Sequence, residues 1–362
     1  MYRVVSVGAD ARHIDDFVGL PRRFYTPRFC THRASDERAL LAGAHPLSGD
    51  FSLEAFLAYG GEGGPRAPAG RCALAVYPGD ETAYLGFFEC AEDPLCAKLL
   101  LDAAAARAAE LRRSLLMGPV DASYWLGCRM KTDAFDRPPF FGEPYNRPYY
   151  PALWEANGFA PAATYVSRIF DGGGLARRMA ADARFARNEG RFLDAGYRVE
   201  SVTPATFERS LLEIHGMVAE LYAGFPGFRP IDPGPFRAMF SRLRPLLDLS
   251  LVKIAYLDGA PVGFAVTVPD HGCLPERPGL PDLLKIQLRR TRAASYVVLY
   301  VGARKGHEGL VPVMLAPVWR EIRGRRAGVA GALIREGKAT ANYFGGTAAE
   351  TRHYALYVRS EL

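Results

Sequence analysis

A stretch rich in Ala and Leu, residues 94–113, lies between two short apolar runs, and this alternation constrains the fold more than any other feature. The runs are YLGFFE over 84–89 and LLMGPV over 115–120, and both have the length of buried strands. A helix that ends at Gly158 then leads into another strand over 164–170. The order predicts an α/β fold in which long helices cover a sheet.

The end of this stretch resembles a known superfamily. Residues 153–159, LWEANGF, are similar to the helix end and final strand of the GNAT superfamily of N-acyltransferases, which also has the order strand, helix, strand, helix, strand. A similar series recurs, with the hairpin sequence IAYLDGAPVGFAV at 254–266, a strand at 296–301 and a last strand at 353–358. The resemblance implies two tandem GNAT-like domains, each with a mixed, mostly antiparallel sheet flanked by helices.

The length of the chain agrees with two domains, because 362 residues exceed one typical domain of ~150 residues. A glycine-rich break at 172–174 follows the strand at 164–170, and a charged helical run follows the break. We therefore predict an N-terminal GNAT-like domain over 1–171, a helical connector over 172–196 and a C-terminal GNAT-like domain over 197–362.

The composition limits the class of protein. Hydrophobic residues make up 49% of the chain and charged residues 23%, which suffices for two cores, and no apolar run reaches the ~18 residues of a membrane span. The N-terminus lacks a basic segment followed by an apolar core, so we expect a cytoplasmic protein. The six cysteines have no CxxC spacing, and therefore neither a disulfide framework nor a metal site is predicted.

The resemblance implies a place for an acyl donor. In GNAT proteins a Q/R-x-x-G-x-G/A loop at a helix N-terminus binds the pyrophosphate of the donor, acyl-CoA, through backbone N–H groups. The corresponding residues here are GHEGLV at 306–311, of which the central Gly309 matches. The first half has CAEDPLCAK at this place, with acidic residues and no glycine. We expect the C-terminal half to bind the donor, through Val301, Arg304, Gly306, His307, Gly309 and Leu310.

The N-terminal half contains the candidate catalytic residues. Acyl transfer to an amine requires a group that accepts a proton from the ammonium and a proton donor for the leaving thiolate. Glu89, at the end of a predicted strand, is our first candidate for the proton acceptor, and a surface carboxylate is the alternative. Glu143 and Tyr145 lie in the proline-flanked FFGEPYN segment and are the other candidates, with Tyr145 as the proton donor.

A polar loop between these segments is expected to bind the acceptor. Arg129 and Lys131 have the chemistry to hold a carboxylate or a phosphate, but pairing with nearby acids such as Glu143 explains them equally well. Asn146 either contacts substrate or caps a helix that begins near Pro148, and the cap is the favoured interpretation. The substrate-binding candidates are Asp121, Tyr124, Trp125, Arg129, Lys131 and Asn146.

These observations predict an N-acyltransferase that moves an acyl group from a CoA or acyl-carrier-protein thioester to an amine of a small molecule or peptide. The net charge of +6 favours acidic ligands in general. One candidate docking patch for an anionic donor, acyl-CoA or acyl carrier protein, is a basic cluster: Lys285, Arg289, Arg290 and Arg292. A solvated basic helix is the favoured interpretation of this cluster. Two alternatives remain open: a non-catalytic GNAT-like binding module, and a tRNA-dependent aminoacyltransferase. Apart from charged tRNA, a nucleic-acid partner is not predicted, because no known binding motif accompanies the charge.

Overall fold

The strands of the computed structural model form one continuous 13-stranded sheet. The structure describes residues 2–61, 64, 66–173, 184–276, 278–338 and 348–361. The strands are β1 Tyr2–Ser6, β2 Ser52–Gly60, β3 Pro68–Val76, β4 Thr82–Cys90, β5 Leu115–Gly118, β6 Met130–Lys131, β7 Ala160–Phe170, β8 Arg198–Ser201, β9 Val252–Leu257, β10 Ala260–Pro269, β11 Ser295–Ala303, β12 Gly328–Arg335 and β13 Glu350–Arg359.

Helices cover both faces of the sheet. Their bounds are α1 Ala11–Gly19, α2 Pro21–Phe24, α3 Ala34–Leu41, α4 Pro94–Glu110, α5 Tyr150–Glu155, α6 Arg184–Asp194, α7 Phe207–Leu221, α8 Pro233–Phe240, α9 Leu280–Arg292 and α10 Leu310–Gly324. The long apolar helices α4 and α10 each pack a buried face against one half of the sheet, and a third core joins the two halves. The α/β fold with a mostly antiparallel sheet flanked by helices is as predicted.

Local sequence signals determine several of these elements. The Asp-Gly turn between β9 and β10 has positive φ at both residues, 51° for Asp258 and 81° for Gly259, which is the backbone that this dipeptide favours in tight hairpins. Asp93 accepts hydrogen bonds from the first N–H groups of α4, and Pro94 begins that helix. The predicted hairpin and long helix are therefore confirmed.

The two halves exchange their last strands. The run β1 to β5 continues into β13, the last strand of the chain, whereas the run β8 to β12 continues into β7. β7 and β13 then pair with each other in antiparallel register, from Ile169 opposite Glu350 to Ala160 opposite Val358. Each half therefore depends on a strand that the other half supplies, which the order of elements along the sequence did not predict.

The domain boundaries at 171 and 197 stay a prediction. Of the predicted connector, 172–196, residues 174–183 lie outside the described part of the chain, and α6 lies within the remainder. None of the helices in the described ranges is long and apolar enough to cross a membrane.

Replacing Leu356 with Ala should destabilise the whole molecule in a single transition. This side chain is fully buried on β13 within the core that joins the halves, so its truncation should cost about 2 to 5 kcal/mol of unfolding free energy. Urea unfolding followed by fluorescence and circular dichroism measures the change. Leu193→Ala, at an exposed position of α6, is the control and should change stability by less than about 0.5 kcal/mol. Two separate transitions, only one of them shifted, would contradict the interdependence of the halves.

Candidate active site

Each half of the sheet contains two parallel strands that separate beyond their first residues. β4 pairs with β5 only from Thr82 to Tyr84, although β4 continues to Cys90. β11 pairs with β12 only from Ser295 to Val298, although β11 continues to Ala303. These two gaps are the equivalent places in the two halves, and they differ in what fills them.

In the N-terminal half the chain itself fills the gap. The Val120 N–H donates to the Leu85 carbonyl at 2.8 Å, and the Asp121 carboxylate accepts from the Phe87 N–H at 2.6 Å. Gly86 is a requirement of this packing, because a Cβ atom there would lie 2.1 Å from the Val120 carbonyl oxygen. The chain thus closes the gap between β4 and the segment that follows β5 as far as Phe87.

In the C-terminal half the gap opens into a cavity of about 850 Å³. The residues from Val298 to Arg304 form one wall, and Ala332 to Arg335 form the opposite wall. The cavity extends across to the N-terminal half, where Glu89 and Arg129 line it. One continuous space therefore connects the predicted donor loop with the predicted catalytic residues.

The loop before α10 has the geometry of a helix N-terminus with a glycine cap. Gly309 has a φ of 90°, in the left-handed region, and Leu310 begins the helix. Val301, Arg304, His307 and Gly309 line the cavity as the prediction requires, whereas Gly306 and Leu310 do not. Lys305, Arg335 and Lys338 also line this end of the cavity and make it basic.

Three of the N–H groups in this loop already have partners. The Gly306 N–H donates to the Glu308 carboxylate at 3.1 Å, the His307 N–H to the Arg304 carbonyl at 3.2 Å, and the Leu310 N–H to the His307 carbonyl at 3.1 Å. His307 Nδ1 lies 2.8 Å from the Tyr197 hydroxyl, which fixes the ring. A phosphate that used the Gly306 N–H would have to displace Glu308, whose side chain is exposed and free to turn outward.

The equivalent helix of the N-terminal half has no such opening. Asp93 Oδ1 accepts from the N–H groups of Leu95 at 2.9 Å and Cys96 at 3.3 Å, and Asp93 Oδ2 accepts from the Tyr2 hydroxyl at 2.7 Å. A carboxylate of the chain thus occupies the anion site at this helix N-terminus. The sequence indicated that the two halves differ at this loop. The difference is that a carboxylate of the chain caps the helix in the first half, whereas a glycine precedes the helix in the second half.

Glu89 belongs to a buried cluster of charged residues and is not a surface carboxylate. Its Oε2 accepts from the hydroxyls of Tyr25 at 2.8 Å and Tyr150 at 2.7 Å, and its Oε1 lies 2.6 Å from His32 Nε2. His32 Nδ1 lies 3.2 Å from Glu37, which also pairs with Arg71 at 2.6 Å. The cluster, defined by Glu89, His32, Glu37 and Arg71, lines the N-terminal end of the cavity through its first three members.

The charges of the cluster balance when His32 is protonated. Burial alone would lower the pKa of His32, but the charge of Glu89 and the hydrogen bond to Glu37 raise this pKa to about 10. Burial would raise the pKa of Glu37, but Arg71 and His32 lower it to about 2. At neutral pH the Glu37 carboxylate therefore lies between the His32 and Arg71 cations, which is how a charge persists in a protein interior.

Glu143 and Lys131 form a second buried group. Lys131 Nζ lies 2.6 Å from Glu143 Oε1, which also accepts from the Tyr354 hydroxyl at 2.6 Å, while Glu143 Oε2 pairs with Arg352 and accepts from the Phe140 N–H. These contacts favour a structural role for both residues. Lys131 does not line the cavity, and the predicted roles of Glu143 in catalysis and Lys131 in binding stay predictions.

The remaining candidates line the cavity but differ in what they contact. The Tyr145 hydroxyl donates to the Phe135 carbonyl at 2.7 Å, and the Trp125 indole N–H donates to the Arg229 carbonyl at 2.8 Å. Both polar groups are thus engaged by the backbone, and the proton-donor role of Tyr145 stays a prediction.

The helix-cap interpretation of Asn146 is wrong. The side chain accepts from the Lys131 N–H at 2.7 Å and donates to the Lys131 carbonyl at 3.2 Å, so it pairs with the backbone of β6 as a neighbouring strand would. The helix begins later, at Tyr150, and its preceding residue provides no side-chain cap. The Asn146 amide therefore pairs with the backbone of a distant segment and does not cap the helix that follows it.

The basic residues of α9 are only partly available to a partner. Arg289 donates to the His271 carbonyl at 2.8 Å and Arg290 to the Leu247 carbonyl at 2.9 Å, which ties α9 to the rest of the C-terminal half. Lys285 and Arg292 are exposed. A docking patch on this helix stays a prediction. Of its four basic side chains, Arg289 and Arg290 already bind backbone carbonyls, which leaves Lys285 and Arg292 to contact a partner.

Sequence reasoning missed the other members of the charged cluster, His32, Glu37 and Arg71. It also missed the two tyrosines that donate to Glu89, Tyr25 and Tyr150. His32 lies in a loop before α3, Arg71 lies on β3, and no spacing relates either to Glu89. Tyr150 could be identified from the sequence, because it lies close to the FFGEPYN segment that contains Glu143 and Tyr145. Arg71 needed the pairing of β3 with β4 to be known, and the other three needed the packing of the segment around α2 and α3 against β4.

The raised pKa of His32 predicts how stability depends on pH. The contribution of His32 should be complete below its ordinary pKa of 6.5 and should be lost as the pH rises through about 10, because folding then no longer favours the protonated form. Urea unfolding at several pH values should show wild type losing on the order of a few kcal/mol over this range relative to His32→Gln. His13→Gln, a control on α1, should retain the wild-type slope. Equal slopes for wild type and His32→Gln would contradict the buried ion pair.

Within the part of the chain that the structure describes, no group of three or more His, Cys, Asp or Glu side chains is placed to hold a metal ion. No protein-family model and no curated protein matches the sequence. Solved structures, in contrast, match over nearly the whole chain.

Three of these structures define the fold. A tandem GNAT protein from the clavulanic acid biosynthesis pathway has 15% identity and a TM-score of 0.52, with 99% of this chain and 98% of that chain covered. A probable N-acyltransferase from Enterococcus faecalis V583 has 10% identity and a TM-score of 0.53, and a GCN5-related N-acetyltransferase from Anabaena variabilis has 10% identity and a TM-score of 0.52. Each alignment covers 99% of this chain and 73% of the other chain. The chain therefore has the tandem GNAT fold that the sequence resemblance implied.

Proposed function

We propose that this protein is an N-acyltransferase that moves an acyl group from a CoA thioester to the amine of a small molecule or peptide. The observation that carries the proposal is the continuous cavity that joins the glycine-capped N-terminus of α10 to the buried Glu89 cluster. An acyl donor and an amine acceptor can meet in such a space. The similarity in fold to known N-acetyltransferases supports the same reaction class. The fold alone does not select a substrate.

The donor binds in the C-terminal half in this proposal. The open gap between β11 and β12 would take the extended arm of the thioester, whereas the gap between β4 and β5 is filled by Val120 and Asp121. The basic residues Lys305, Arg335 and Lys338 would attract the phosphates of the donor. An acyl carrier protein presents a similar arm, and Lys285 and Arg292 are the residues that would attract it.

Glu89 is the proposed proton acceptor. Two tyrosine hydroxyls and His32 hold its carboxylate at one end of the cavity, so a proton from the attacking ammonium would reach it directly or through one water. A cytoplasmic location, where CoA thioesters are made, is part of the same proposal.

A non-catalytic binding module is the second candidate, and two contacts favour it. Asp93 occupies the helix N-terminus of the first half, and Glu308 occupies one N–H group of the loop in the second half. If Glu308 stays in place, the loop offers no complete site for a pyrophosphate. Measurement of donor binding separates the two candidates.

Acetyl-CoA should bind with micromolar affinity, and Gly309→Glu should abolish this binding. The new carboxylate would stand at the N-terminus of α10 and repel the phosphates of the donor. Calorimetric titration measures the affinity. Gly309→Ala is the matched control: it has the same strain at a φ of 90° without the charge, so it should bind within about tenfold of wild type. If wild type binds neither acetyl-CoA nor a longer acyl-CoA, the binding module becomes the better account.

Replacing Glu89 with Gln should lower turnover by about 100-fold while donor affinity stays unchanged, because the amide cannot accept a proton but occupies the same space. Turnover is measured as release of free CoA in the presence of an amine that the wild type acylates. Glu92→Gln, just beyond β4, is the control and should behave as wild type. Wild-type turnover by Glu89→Gln would remove Glu89 from the mechanism.

A further inference from the structure

Arg129 is a buried cation that lacks a carboxylate partner among the described residues. The residue is only 8% exposed, and its guanidinium stacks on the Tyr165 ring at 4.1 Å from the ring centre. One terminal nitrogen donates to the Tyr124 hydroxyl at 2.7 Å, but Nε has no hydrogen-bond partner. A buried charge without an ion-pair partner is unfavourable, so the arrangement calls for an explanation.

The acids of the surrounding loop do not supply the missing charge. Glu143 pairs with Lys131 and Arg352, and Asp133 pairs with His353 at 2.5 Å. Asp121 accepts from the Phe87 N–H, and burial raises its pKa, which weakens it as a counter-charge. The fold thus provides partners for Lys131 and for the cluster around Glu89, and leaves Arg129 without one.

Arg129 lines the cavity, and its backbone is held in place. Arg129 has a φ of 83°, an uncommon value for a residue other than glycine, and its N–H donates to the Pro119 carbonyl at 3.0 Å. Tyr222 and Tyr300, from the C-terminal half, line the same part of the cavity. Arg129 therefore lines the same cavity as the donor loop and Glu89.

We propose that Arg129 binds a carboxylate carried by the substrate, so that the acceptor is an amine that also bears an acid, as a free amino acid does. That the ligand is the acceptor rests on the proposed function, but the anion site itself does not. Among the described residues Nε and Nη1 have no hydrogen-bond partner, and Nη2, which donates to Tyr124, carries a second hydrogen, so an edge of the guanidinium can hold a carboxylate with two parallel hydrogen bonds. The same chemistry would also hold an acid at the end of an acyl group, such as succinyl.

The test compares acids with their amides. Wild-type protein is titrated by calorimetry with the free amino acids and with the matching amino acid amides, and in a second arm with succinyl-CoA and butyryl-CoA. At least one acid should bind about tenfold more tightly than its amide, and Arg129→Gln should remove that preference while amide binding is unchanged. Arg129→Lys should retain part of it, and Arg137→Gln, on the exposed part of the same loop, should retain all of it. A preference for succinyl-CoA alone would assign the carboxylate to the acyl group.

The proposal is overturned if no acid and no succinyl donor is preferred by the wild type, or if Arg129→Gln keeps the preference. Should Arg129→Gln fail to fold, the wild-type preference and the Arg129→Lys variant decide the matter. Acetyl-CoA is titrated separately on the same preparation. Acid binding through Arg129 without any acyl-CoA binding would support the anion site and overturn acyl transfer, whereas acetyl-CoA binding without acid preference would do the reverse.

Discussion

The antiparallel pairing of β7 with β13 is the interaction on which the rest of the structure depends. These two strands lie at the centre of the sheet, and each completes the half to which it does not belong in sequence. The hydrogen bonds between them are shared by both halves, so neither half has a complete sheet alone. A chain that looks like two domains in sequence is thereby one structure.

The exchange also carries side chains across the molecule. β13 brings Arg352 and Tyr354 to Glu143, which is a residue of the N-terminal half, and this contact holds the loop that borders the cavity. Lys131 completes the same buried group. The last residues of the chain thus position a wall of the cavity that begins near residue 140, and the cavity exists only when both halves are assembled.

How far the sequence could predict the molecule depends on the range of the interactions. The Asp-Gly hairpin, the Ala/Leu-rich helix α4 and the strand that follows Gly158 arise from local preferences, and the sequence identified them. The exchange of β7 and β13 cannot be read from local sequence, because it depends on pairing between residues that are far apart along the chain. Glu89 was chosen as a candidate for its place at a strand end, but its partners His32 and Arg71 come from a loop and a neighbouring strand that no spacing relates to it. Asn146 shows the same limit, since its strong local signal for a helix cap lost to a backbone partner on β6.

The two halves share a basic order of strands and helices, but they differ at the gap between their parallel strands and at the helix N-terminus beside it. In the first half a carboxylate caps the helix after β4 and the chain fills the gap beside β5, so both features that would hold an extended anionic ligand are closed. In the second half the gap beside β11 is open and the helix begins at a glycine with left-handed backbone, but the described residues there include no buried charged cluster like that around Glu89. The charges that the first half buries are balanced by one another, with Arg129 as the exception. The open gap thus lies in the second half, and the buried charged cluster that lines the same cavity lies in the first half.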